Sequence, residues 1–165
     1  MSGLSTWFIT TFGGIMTKEM LVFVISMVPL LELRGGMVAA SALGIELYKA
    51  IGLCIVGNII PVPFILLFIT PIFAWMKTTS LFRPLVEKLE NRAMNKSDKI
   101  EKYEFWGLVL FVGIPLPGTG AWTGSLIASL LGIRFKKAFP AVLTGICLAI
   151  VIMTLISYVL PGLFW

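Results

Sequence analysis

Residues Pro29 to Ile45 read Pro-Leu-Leu-Glu-Leu-Arg-Gly-Gly-Met-Val-Ala-Ala-Ser-Ala-Leu-Gly-Ile, which sets a carboxylate, Glu32, and a guanidinium, Arg34, inside apolar sequence. The stretch returns 88 residues later, pairing Gly36 with Gly124, Ala40 with Ala128, Ser41 with Ser129, Leu43 with Leu131, Gly44 with Gly132 and Ile45 with Ile133. The correspondence continues through Lys49 and Lys137, Ala50 and Ala138, and Gly57 and Gly145. Nine identities in the 22 positions from Gly36 to Gly57 compare with roughly two expected from so apolar a composition, so the chain reads as an internal duplication.

Composition names the solvent. Of 165 residues 58% are hydrophobic and 13% charged, with a mean hydropathy of +1.00, which is too apolar for a soluble domain and implies an integral membrane protein. The chain has no histidine, which excludes a histidine general base and most zinc or haem sites, and no cofactor or metal is expected. Cys54 and Cys147 both sit in apolar runs and read as packing residues. The net charge of +5 lies beside hydrophobic segments, without a basic tract carrying interleaved aromatics, so no nucleic-acid partner is expected. Met1 to Met16 lacks a basic start, and no cleavable signal peptide is expected.

The expected fold is an all-α integral membrane protein built as an inverted repeat, each half a re-entrant helical hairpin plus a spanning helix, with interfacial amphipathic helices. Residues 1–18 form an interfacial helix over Leu4–Met16, residues 19–76 the first repeat, 77–104 an amphipathic linker and 105–165 the second repeat. The arms Met20–Leu31 and Met37–Ile45 reach only about 18 and 14 Å at the helical rise, half of a ~30 Å hydrocarbon core, which favours a re-entrant hairpin over a broken spanning helix. Tyr48–Trp75 spans, with a kink expected near Asn58 to Pro63. In the linker, Pro84 opens a helix with Leu85, Val86, Leu89 and Ala93 on one face, lying on the membrane surface. The second half repeats the plan: Phe105–Leu116, a tip at Pro117–Gly120, Ala121–Ile133, and a spanning run Ala138–Leu160.

One hairpin plus one crossing per half puts both termini on one side. The other side then receives the seven basic residues of the linker plus Arg134, Lys136 and Lys137, against Lys18 and Lys49, so the linker is expected in the cytoplasm, the termini opposite, and the protein in the inner membrane. A model of four full crossings gives a weaker asymmetry.

Glu32 and Arg34 are the charges at membrane depth, where an unpaired charge costs at least a few kcal/mol. Two residues apart, they face different sides of a helix, so non-helical backbone at the tip, permitted by Gly35 and Gly36, is expected. Functionally, Arg34 offers a fork of donors to a phosphate or carboxylate and Glu32 a proton-exchanging group; structurally, the two form an ion pair that pins the hairpin. The opposite tip has no charge, but Gly118, Thr119, Gly120, Trp122 and Thr123, with the Ser125 hydroxyl and exposed amides, can form a facing wall, or serve close packing. Asn58 is a supporting candidate.

Glu32-Leu-Arg-Gly-Gly36 together with Pro117-Gly-Thr-Gly-Ala-Trp-Thr-Gly124 resembles the small multidrug export protein family over nearly the whole chain, with Met37 where that family often has proline. The family in turn is similar to the DedA, or SNARE-associated (VTT), membrane superfamily, which implies paired re-entrant hairpins and movement of lipids such as undecaprenyl phosphate. A transporter of anionic lipid or lipid phosphate, with proton coupling through Glu32, is the expected function; efflux of hydrophobic cationic drugs is the alternative. An enzyme is not expected, because Glu32 is the only acidic residue at depth. Partners are membrane lipid, the lipid-phosphate or small-molecule substrate and a second copy in a homodimer, since two crossings enclose little.

Overall fold

A computed structural model describes residues 7, 10, 11, 16–95 and 98–160. The interfacial helix expected over Leu4–Met16 lies largely outside the described residues. Every regular element among those described is helical: α1 (Lys18–Met27), α2 (Glu32–Ala42), α3 (Leu47–Ile59), α4 (Pro61–Lys77), α5 (Arg83–Met94), α6 (Asp98–Gly113), α7 (Ala121–Leu130) and α8 (Phe135–Thr154), the last continued by one π-helical turn, Leu155–Val159.

The two matching stretches of sequence end in the same turn. After α2, Gly44 takes φ +69°, its amide donates to Ser41 O and the Ile45 amide to Ala40 O. After α7, Gly132 takes φ +68°, its amide donates to Ser129 O and the Ile133 amide to Ala128 O. Both are the glycine stop in which a left-handed residue lets the chain reach back and satisfy the last carbonyls.

Small residues then set the packing. A Cβ on Gly57 of α3 would lie 2.8 Å from Phe23 O and 3.0 Å from Ser26 Cβ of α1, and one on its repeat partner Gly145 of α8 would lie 2.9 Å from Val109 O and 2.6 Å from Val112 Cβ of α6. Both helix pairs approach closely because no side chain stands between them.

The halves also interlock. Ser41 Oγ of α2 donates to Ser157 O, at the end of the long helix of the other half, at 2.6 Å. Its repeat partner Ser129 of α7 shares a 2.8 Å hydrogen bond with Thr70 of α4. The mouth of the first hairpin therefore lies where Tyr158 donates to Ile45 O, beside the Lys49–Glu19 ion pair. The mouth of the second lies at the start of α8, beside the Glu104–Lys137 ion pair.

The α3–α4 and α8 runs decide the environment. They hold 31 and 25 residues, about 46 and 37 Å of helix against a ~30 Å core. Only 28% and 39% of their most apolar windows are buried in the protein, whereas the core helix of a soluble domain would cover such a face. Phe64, Leu67, Phe68, Ile72 and Trp75 on α4, and Val151, Leu155, Ile156 and Val159 near the end of α8, are all exposed. Outward apolar faces of this length belong in lipid.

Several boundaries depart from the sequence expectation. The first tip is Val28–Leu31, so Arg34, Gly35 and Gly36 stand in the opening turns of α2 instead of in irregular backbone, and only Glu32, its first residue, keeps a non-helical φ. The glycines serve contact: a Cβ on Gly36 would lie 2.0 Å from Ser26 Oγ and 2.8 Å from Cys54 Sγ. Positive φ values on non-glycine residues fall on Leu30 (77°) and Glu32 (49°) at this tip, and on Glu104 (39°), where α6 is kinked. In the second half α6 ends at Gly113, before Pro115 and Pro117. Where the sequence predicts a kink, α3 passes into α4 at Ile60, whose backbone stays helical (φ −51°, ψ −49°) and whose amide still reaches Val56 O. On α5 only Val86 and Ala93 of the expected apolar face are buried, while Leu85 and Leu89 stay exposed alongside Leu81 and Phe82.

Candidate functional site

The two hairpin tips meet, and each supplies what the other lacks. A helix entering its first turn has amides without intrahelical acceptors, and one leaving its last turn has carbonyls without donors; in an apolar interior both are costly. Helix α7 starts at Ala121, preceded by Gly120, and has no cap of its own. The carboxylate of Glu32, from the other hairpin, fills the gap: Ala121 N donates to Oε2 at 3.0 Å and Trp122 N to Oε1 at 2.9 Å. This is a bidentate anion at a helix N-terminus, buried to 4% exposure.

Arg34 performs the converse task. Proline at 115 and 117 removes donors just past α6, leaving a run of carbonyls. The guanidinium donates to Leu116 O at 2.8 Å, Ile114 O at 3.0 Å and Val112 O at 3.3 Å, and to Thr119 Oγ1 at 3.0 Å. Its planar fork suits such a cluster of acceptors. In return, the second hairpin's Trp122 donates its indole N–H to Met27 O, the last carbonyl of α1, at 3.1 Å.

Backbone geometry makes the joint possible. Gly120 takes φ +140° and ψ −173°, a region essentially reserved for glycine. A Cβ there would lie 2.0 Å from Glu32 Oε2. Glu32 holds φ 49°, a left-handed value that costs a non-glycine residue about 1–2 kcal/mol and is kept by the two amide bonds.

Of the residues singled out in the sequence, the structure thus joins Glu32, Arg34, Thr119, Gly120 and Trp122 in one network. Gly35 and Gly36 lie directly behind it against α1 and α3. Gly118 forms the exposed turn of the second tip at φ 73°. Thr123 and Asn58 stand outside the network; Asn58 is buried with Oδ1 unpartnered, as is Ser125 Oγ. Glu32 and Arg34 make no direct ion pair but lie within each other's field, and both cap helices of the opposite hairpin. The carbonyls of Val112, Ile114, Leu116 and Met27 escaped the sequence reading. The two prolines after α6 were the available signal, because they announce carbonyls in need of a donor.

The sequence profile of the family described as "Putative small multi-drug export protein" matches residues 32–152, well over half of the chain. The chain belongs to this family. The match begins at Glu32, just past the first tip, and takes in Arg34 and the whole second tip of the small multi-drug export fold. No curated protein and no solved structure gives a significant match, and the more distant likeness to the DedA superfamily has no counterpart in these comparisons.

Proposed function

We propose that this protein exports small amphiphilic molecules across the membrane by parting and rejoining its two hairpin tips, and that a proton on Glu32 loosens the joint. In this reading the hairpins are re-entrant, the halves are inverted and the tips meet near mid-membrane, with the linker in the cytoplasm. The buried Glu32 carboxylate between the two amides carries the reading. Charge-assisted hydrogen bonds contribute about 1.5–3 kcal/mol each and neutral ones about 1, so protonation weakens the pair by about 2 kcal/mol, a ~30-fold shift toward parted tips. Parting also uncovers Arg34, whose acceptors Ile114 and Leu116 lie at the exposed rim.

A second reading of the substrate rests on the same slot. Two helix-terminal amides and a guanidinium form a receptor for an anion, and a lipid phosphate entering between parted tips would take the place of the Glu32 carboxylate. The family description favours drug efflux. Purified protein in vesicles under an imposed pH gradient tests both, by efflux of a cationic dye and by movement of a labelled lipid phosphate. Glu32→Gln is expected to abolish the pH dependence of transport; an unchanged pH profile refutes the proton role. Arg34→Ala separates the substrates: loss of lipid-phosphate movement with dye efflux kept supports the second reading, and the converse removes it.

A further inference from the structure

At the mouth of the second hairpin a cleft of about 590 Å³ is lined by Glu104, Phe105, Leu131, Gly132, Ile133, Arg134, Lys136 and Lys137. Among the described residues its charges are three cations against one carboxylate, and that carboxylate, Glu104, is paired with Lys137. Arg134 and Lys136 carry the remaining charge, both exposed. The cleft opens where the apolar α8 begins, beside Trp106, 65% exposed and edge-on to Phe105, which is the position of an aromatic at the headgroup boundary.

The repeat supplies an internal control for what those charges do. The first hairpin makes the same turn, with the same glycine φ and the same hydrogen bonds, followed by Glu46, Tyr48 and Lys49 where the second has Arg134, Lys136 and Lys137. That mouth is electrically balanced, with Lys49 paired to Glu19, and the Lys18 ammonium donates to Leu43 O at 3.2 Å. The turn therefore folds without excess positive charge. In the second mouth the space beside the equivalent turn at Leu131–Ile133 is an open cleft.

We infer that this cleft is a binding site for the phosphate headgroup of an anionic phospholipid, held by Arg134 and Lys136 with its chains beside Trp106 and Leu110. Apolar walls from Phe105, Leu131 and Ile133 beside the cations suit a lipid better than a free anion. The site does not depend on what the hairpin tips transport. Glu104 limits the affinity, because it both neutralises Lys137 and sets a negative charge in the wall.

The test uses purified full-length protein in detergent, where membrane orientation plays no part, and follows binding of dioleoylphosphatidylglycerol and dioleoylphosphatidylcholine by native mass spectrometry. Each interfacial cation is worth about fivefold in affinity. Arg134→Gln with Lys136→Gln is expected to weaken phosphatidylglycerol about 25-fold and leave phosphatidylcholine unchanged. Lys88→Gln with Arg92→Gln, the same charge change on α5, stays within twofold, and Glu104→Gln tightens binding up to fivefold. Arg134→Glu with Lys136→Tyr copies the first turn, which guards against misfolding, and removes the lipid preference. Equal losses in the α5 control, no loss at the cleft, or weaker binding in Glu104→Gln overturns the site. Millimolar inorganic phosphate is expected not to compete; competition at that level overturns the lipid assignment.

Discussion

Replacing Gly120 by alanine tests whether the joint between the tips is what holds the two halves together. The added Cβ falls 2.0 Å from Glu32 Oε2, so the carboxylate must retreat by more than 1 Å, which breaks amide bonds of 3.0 and 2.9 Å. Two charge-assisted bonds at about 1.5–3 kcal/mol each, plus about 1–3 kcal/mol for an alanine at a glycine-only backbone position, give a loss of at least about 4 kcal/mol. Gly44→Ala is the matched control: its φ is also positive, +69°, but nothing lies within 4 Å of the new Cβ, so it costs only about 1–2 kcal/mol. Unfolding of the purified protein by denaturing detergent, followed by helical circular dichroism, measures both. The same substitution in a Glu32→Ala background is expected to cost no more than the backbone strain, about 1–3 kcal/mol, because the bonds are already gone. Equal losses for Gly120→Ala and Gly44→Ala, or full additivity with Glu32→Ala, would refute the reasoning.

Arg34→Lys keeps the charge but replaces a planar fork bonded to three carbonyls and a hydroxyl by one ammonium; a loss of about 2–3 kcal/mol in the same assay is expected. Trp122→Phe leaves the Met27 carbonyl without its indole donor and is expected to lower stability by about 1–3 kcal/mol. Gly52→Ala, on an open face of α3, is expected to be neutral or stabilising by up to about 1 kcal/mol, whereas Gly57→Ala and Gly145→Ala both destabilise through the helix backbones they press against. Single cysteines at Lys49 and Arg134, in a background with Cys54→Ala and Cys147→Ala, are expected to label from opposite sides of the membrane; labelling from one side contradicts the inverted arrangement.

Much of the architecture was written in the order of residues. Two hairpins and two long apolar helices follow from the spacing of apolar runs and from the Leu-Gly-Ile repeat that ends α2 and α7, because glycine stops and helix length are local properties. That Glu32 and Arg34 would need polar partners was equally legible, since ionic groups in apolar sequence demand them. Their partners were not. Sequence placed them at a glycine-relaxed tip, whereas the glycines proved to be contact points for Ser26, Cys54, Leu31 and Ile25, and the strained backbone fell on Glu32.

What the sequence determined by itself was the apolar, helical character of this protein and its two long apolar runs, which depend on neighbours within a few turns or on composition. Only the tertiary structure decided that the carboxylate caps α7 and the guanidinium closes the end of α6, 89 and 82 residues away. The reason is physical. An orphan amide or carbonyl at a helix end accepts any partner of the right charge within about 3 Å, and which residue comes that close is set by how the two hairpins dock.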